Sequence, residues 1–329
     1  MFWPCVLFLA GFVLLIKGGD WFVDGSVAVA RRFRLPEMLI GATIVSIGTT
    51  LPEVMVSSQA AMNNNAGISY GNAIGSIICN TSLIAAITLS VRPGKVNKKA
   101  LFLPSAFFFA AAVSYALVAW VAGGFQRWMG ITYLLVFTAY IALSVWRMKK
   151  SKNAGEAEET EEAAESDGPE KSRPFWLEIL FLVLGAAAIA VGARLLVDNG
   201  TKIAEALGVP DSVIGLTMVA LGTSLPELIT AITSLVKGHG SLSLGNIIGA
   251  NLFNIVLVSG AAITISPFSV PAEKTLGGVN SSLVLDLPLM LAVMAVLCVP
   301  PLLTGRLKRW QGILLLSVYI AFTVYQFVS

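Results

Sequence analysis

One histidine and three cysteines are spread over 329 residues, and charged side chains make up only 12% of the chain. Each shortage excludes something. Cys5, Cys79 and Cys298 stand far apart in apolar sequence, so no disulfide framework or thiolate metal cluster is expected and packing is their default role. His239 alone cannot furnish the nitrogen-rich ligand sets that zinc and copper favour. A Gly-x-x-x-x-Gly-Lys-Ser/Thr run is missing, which argues against ATP hydrolysis by this chain. No nucleophile–base pair is recognisable either, so the chain is not expected to be an enzyme or to carry a cofactor. The scarcity of charge excludes an ordinary soluble domain, in which about a quarter of residues are charged.

What is abundant is hydrocarbon. Hydrophobic residues form 56% of the chain and the mean hydropathy is +0.80. Apolar runs long enough to cross a bilayer as helices occupy 4–30, 35–62, 69–90, 100–122, 126–147, 175–203, 210–236, 242–265, 280–303 and 309–328. The expected fold class is therefore an all-α integral membrane protein with ten transmembrane helices. Five lie on each side of one polar stretch, dividing the chain into 1–148, an acidic loop 149–173, and 174–329. Alternate loops hold 17 of the 22 Lys and Arg residues, and the opposite loops only Arg127, Lys202 and Lys274. By the positive-inside rule the basic side is cytoplasmic, with both termini outside and the central loop inside, at the cell membrane. The net charge of +3 is thus orientation charge rather than a nucleic-acid footprint. Phe2–Ile16 has no basic residue ahead of it, which suits a first helix rather than a cleaved leader.

The same segment occurs twice. Gly41–Val54, GATIVSIGTTLPEV, returns as Gly215–Leu228, GLTMVALGTSLPEL, and Gly71–Asn80, GNAIGSIICN, returns as Gly245–Asn254, GNIIGANLFN. One offset of 174 residues relates both pairs, and also Asp24 to Asp198 and Pro36 to Pro210. Five crossings per half is an odd number, so the second unit must enter the membrane upside down. Inverted repeats of this kind recur in secondary transporters, with the site between the repeats.

Each motif ends in a glutamate inside apolar sequence, Glu53 and Glu227, which is costly in lipid and calls for a cationic partner. Pro52 cannot bond the carbonyl of Gly48, so the helix is expected to open there and free carbonyls near Ser46–Gly48. Gly222, Thr223, Ser224 and Pro226 repeat the arrangement, freeing carbonyls near Ala220. Carboxylates, hydroxyls and carbonyls form an all-oxygen set that suits a hard cation such as calcium. Two glutamates would neutralise one divalent or two monovalent ions; with neither bound, the site would invite a proton. The glycines of the second blocks let their helices approach closely, and Asn72, Ser76, Asn80, Asn246, Asn251 and Asn254 are oxygen donors or cross-helix hydrogen-bonders.

GTTLPE and GTSLPE, each followed by a GN-x-IG block, resemble the two alpha-repeats of the cation/calcium exchanger family, which includes the sodium/calcium exchangers. The resemblance implies a sodium/calcium antiporter of prokaryotic type working by alternating access, its first and sixth helices sliding past a fixed core. It places calcium at Thr49, Glu53, Thr223 and Glu227, and sodium at Ser46, Thr50, Ser76, Asn80, Ala220, Ser224, Ala250 and Asn254. Ala250 replaces a serine of the prokaryotic exchangers that define the site, so one sodium position is weakened or completed by water. Asn254 replaces an aspartate of potassium-dependent members, which argues against potassium co-transport. Calcium/proton exchange remains the alternative, although the GN blocks lack the extra glutamate of such exchangers; a passive channel is a third reading. Partners implied are calcium, sodium and the bilayer, with no obligatory protein partner.

Smaller signals complete the reading. The loop Lys149–Arg173 holds eight acidic residues without EF-hand spacing and reads as a solvated linker, with a regulatory segment as the sharper alternative. Asp24 and Asp198 read as interfacial ion-pair or anchor positions, with Arg194 four residues before Asp198. His239 reads as part of a solvated turn. The seven tryptophans fall mostly near predicted helix ends.

Overall fold

The computed structural model describes residues 2–33, 35–154, 174–207, 222–272, 275–276 and 278–328. In chain order the helices are α1 (Phe2–Phe33), α2 (Glu37–Met62), α3 (Ala66–Val91), α4 (Lys98–Ala122), α5 (Arg127–Ala154), α6 (Phe175–Ala206), α7 (Leu225–Val236), α8 (Gly240–Ile265), α9 (Ser282–Thr304) and α10 (Arg309–Val328). Among the described residues eight of these, all but α7 and α10, are long and apolar enough to cross a membrane. The predicted run 210–236 is described only from Gly222 onward, which leaves α7 short. Tertiary packing adds a two-residue pairing that sequence periodicity did not show: Gly124–Phe125 pairs antiparallel with Phe268–Ser269, tying the α4–α5 turn to the chain after α8.

α1 and α6 pack along a glycine seam. Gly11, Gly18 and Gly25 recur every seventh residue on α1, as do Gly185 and Gly192 on α6, keeping one face of each helix bare. A Cβ on Gly18 would stand 2.8 Å from the Ile189 nitrogen, and one on Gly192 would stand 2.8 Å from the Gly11 oxygen. Gly11 faces Gly192, Gly18 faces Gly185, and Gly25 faces Glu178, so the two helices run antiparallel. Phe22, Leu15, Val23 and Ile189 close an apolar cluster along the seam.

α2, α3 and α8 form the centre. α3 and α8 are each 26 residues long and their ends are related by the same 174-residue offset as the motifs. Both widen into π-helix from the last residue of the GN block, at Asn80–Ala85 and Asn254–Ser259, and α2 does so at Gly41–Val45. A π-turn leaves carbonyls without their usual partner, and side chains take them. Ser46 Oγ donates to the Gly41 carbonyl at 2.7 Å and Ser259 Oγ to the Asn254 carbonyl at 2.9 Å, each from five residues on. Tyr140 of α5 donates to the Ala42 carbonyl at 2.9 Å. The expected close approach holds for the second block: Gly245 meets the Met38 carbonyl, and a Cβ on Gly249 would stand 2.7 Å from Ala42 Cα. No described atom comes within 4 Å of such a Cβ at Gly71 or Gly75.

Two expectations need correction. Pro52 does not open its helix: α2 stays helical from Ser46 to Met62, because one proline removes a single bond, that to the Gly48 carbonyl, and the rest of the ladder continues past it. In the second repeat Thr223 and Ser224 lie in a turn and Pro226 stands near the start of α7, while the carbonyls expected near Ala220 lie outside the described residues. His239 is not a solvated turn residue; its Nδ1 lies 2.8 Å from Glu37 Oε1, joining the start of α8 to the start of α2. Nearby, Lys237 pairs with Asp24 at 2.6 Å and Asp20 at 3.3 Å on α1. Arg194 and Asp198 pair at 3.6 Å as their spacing predicts, and Arg32 reaches Glu178 at 3.7 Å. All seven tryptophans are exposed, at 37% or more, and the three cysteines are free.

Candidate cation site

α2 carries Ser46, Thr49, Thr50 and Glu53 on successive turns, and every one of these side chains is buried. The start of α7 delivers Ser224 and Glu227, also buried, with Thr223 half-buried beside them. Glu53 and Glu227 are each 0% exposed, yet they stand within electrostatic range of one another. The Thr49 hydroxyl reaches towards the Glu227 carboxyl. Neither oxygen of either carboxyl has a hydrogen-bond partner among the described residues. Four orphaned carboxyl oxygens in one sealed pocket form an arrangement that folding alone penalises, since buried polar groups are normally satisfied.

The surrounding oxygens follow the same pattern. Thr50 Oγ1, Ser224 Oγ, Asn80 Oδ1 and Asn254 Oδ1 are buried and lack partners among the described residues. The two asparagines sit at the first residue of their π-turns, which swings them inward from α3 and α8. Asn254 commits its amide nitrogen to the Ala250 carbonyl at 3.1 Å, and Asn80 commits its own to Asn251 Oδ1 at 3.2 Å. Thr49 donates to Asn246 Oδ1 at 3.2 Å, leaving its lone pairs available. Ser46 Oγ lies 3.0 Å from the Asn246 carbonyl as well as bonding Gly41. Ser76 and Ala250 are buried in the same helices. Ala220 lies outside the described residues.

Phe22 of α1 seals one side, with its ring 3.0 Å from where a Gly48 Cβ would be. Together with Thr49, Pro52, Ile189 and Pro226 it closes the wall that faces the α1–α6 pair. The result is a buried, oxygen-rich and doubly acidic site. Chemically it can do one thing well: hold hard cations whose charge answers the two carboxylates.

A family model described as "Sodium/calcium exchanger protein" matches residues 3–146 and 177–328. This chain belongs to that family. The exchanger is 32% identical over 351 residues to Sodium/calcium exchanger MaX1 of Methanosarcina acetivorans, covering 98% of both chains. It is 36% identical over 319 residues to an uncharacterized membrane protein of Methanocaldococcus jannaschii, covering 95% of this chain and 94% of that one. It also superposes on the sodium-calcium exchanger NCX_Mj soaked with sodium and strontium, with a TM-score of 0.79, 32% identity and 97% coverage of each chain. The chain is thus a multi-pass membrane protein of cation exchange, a family of transporters rather than enzymes.

Three residues on the exchanger's site-forming elements escaped sequence reasoning. The Cys79 thiol lies beside Ser224 and within electrostatic range of both glutamates, with the Tyr319 hydroxyl 4.0 Å away. Its place directly before Asn80 was the only signal. Thr230 and Ser234, buried and without partners among the described residues, continue the Glu227 face of α7 at helical spacing. That polar stripe was readable at three- and four-residue steps.

Proposed function

We propose that this protein exchanges sodium for calcium across the cell membrane, with Glu53 and Glu227 as the shared charge that either cargo neutralises. The observation that carries the reading is the pair of buried carboxyls, one from each repeat, with no hydrogen-bond or cationic partner among the described residues. Calcium would take Thr49, Glu53, Thr223 and Glu227. Sodium would use Ser46, Thr50, Ser76, Asn80, Ala220, Ser224 and Asn254, with Ala250 contributing no hydroxyl. Competition for these oxygens is the coupling, because a site filled by one cargo excludes the other. The names of MaX1 and NCX_Mj as sodium/calcium exchangers support this choice of ions. Calcium/proton exchange is the second reading, favoured by the same bare carboxyls, which can accept protons.

Ten spans in two inverted five-helix units, 1–148 and 174–329, remain the architecture we infer. The antiparallel packing of α1 against its counterpart α6 and the matched bounds of α3 and α8 support it. The charge bias supports a cytoplasmic loop 149–173 and outward termini. Radiolabelled calcium uptake into proteoliposomes tests the function. Uptake is expected under an outward sodium gradient at uniform pH; uptake that needs a pH gradient instead would overturn the sodium assignment.

A further inference from the structure

We propose that Asn251 is a positioning residue that turns the Asn80 side chain so that its carbonyl oxygen, not its amide nitrogen, faces the cation. The inference rests on the site reading above and concerns a residue that lies behind the pocket. An asparagine side chain has two nearly isosteric ends, and only its hydrogen-bond partners decide which end points where. For a cation ligand the decision matters, because an NH₂ group presented to the ion repels it.

The hydrogen bonds around Asn251 fix that polarity from groups that can only accept. Thr81 Oγ1 donates to the Ile77 carbonyl at 2.8 Å, so its oxygen is left to accept, and Asn251 Nδ2 donates to it at 2.8 Å. The same Asn251 nitrogen lies 3.1 Å from Met294 Sδ, a second group without a proton to give. Both contacts place the NH₂ of Asn251 on that side, and its Oδ1 on the other. There Asn80 Nδ2 donates to Asn251 Oδ1 at 3.2 Å. Asn80 Oδ1 is then the end that remains, buried and without a partner among the described residues. The direction of every bond is set by one main-chain carbonyl and one thioether, and the last link opens on the cation pocket.

The second repeat reaches the same result by another route. Asn254 gives its NH₂ directly to the Ala250 carbonyl at 3.1 Å, and Ile77 occupies the position equivalent to Asn251. The relay is therefore one-sided: the second repeat orients a ligand of the first, and the first offers nothing comparable in return. Asn251 thus gives the duplicated pocket two unequal asparagine arms.

The test is a double-mutant cycle in proteoliposomes, reading half-saturating sodium and calcium concentrations separately from the maximal exchange rate. Asn251→Leu is expected to raise the half-saturating concentration of at least one ion about two- to tenfold, the range of one neutral hydrogen bond, with the maximal rate largely kept. In an Asn80→Ala background the same change is expected to do nothing further. Thr81→Val, which removes the relay's anchor with little change of volume, gives a second cycle should Asn251→Leu fail to fold. Effects that multiply in both backgrounds, or that fall on the maximal rate alone, would overturn the relay. An Asn80→Ala protein with unchanged half-saturation for both ions would instead remove Asn80 from the site.

Discussion

Glu53 and Glu227 were the most legible residues in the chain, because a carboxylate in apolar sequence has few structural explanations. Their burial and mutual proximity match that reasoning. Replacing either by glutamine keeps shape and removes one charge from a site that must balance two. Glu53→Gln and Glu227→Gln are each expected to lower coupled exchange by about a hundredfold or more, the loss that follows when a buried ionic partner is deleted. Full activity in either variant, measured by sodium-driven calcium uptake, would sink the assignment. Cys79 was not legible, since a thiol in apolar sequence looks like packing until a fold brings Ser224 beside it. His239 misled for the opposite reason: its glycine neighbours resemble a turn, while its partner Glu37 lies 202 residues away.

At the scale of elements, periodicity showed where helices lie but not how each tolerates its proline. Pro52 and Pro226 sit in near-identical motifs, yet one lies within a continuous helix and the other starts one. The Gly41–Val45 turn ahead of Pro52 is met by Tyr140 from α5, a contact that no local pattern contains; the stretch equivalent to it ahead of Pro226 lies outside the described residues. The glycine seam is a clearer case, visible as a seven-residue repeat once α1 and α6 are known to touch. A side chain at Gly185 would collide with the Phe22 backbone, so Gly185→Val is expected to destabilise the protein by about 1–3 kcal/mol or more. Thermal denaturation in detergent should show a clear drop in Tm. Gly94→Ala, whose added Cβ meets no described atom within 4 Å, should stay within about 0.5 kcal/mol.

Across the whole molecule the duplication was legible as a fixed offset, and the superposition on NCX_Mj along 97% of the chain agrees with a single transporter unit. Less legible were the ion pairs that hold α1 in place, because Lys237 looked like one more orientation charge. It pins α1 through Asp24 and Asp20 while remaining 27% exposed, so its contribution is expected near 0.5–1 kcal/mol. Lys237→Ala should therefore lower stability by about 0.5–1 kcal/mol, seen as a small drop in Tm in detergent, and the charge swap Lys237→Asp with Asp24→Lys should recover part of it. An unchanged Tm for Lys237→Ala would show the pair to be idle. The orphaned carboxyls carry one more consequence. A carrier that switched faces with nothing aboard would drag two bare anions through a dehydrated chamber, at a cost of several kcal/mol. On the proposed reading the return journey needs a passenger, either a metal ion or the protons that the same carboxyls can accept.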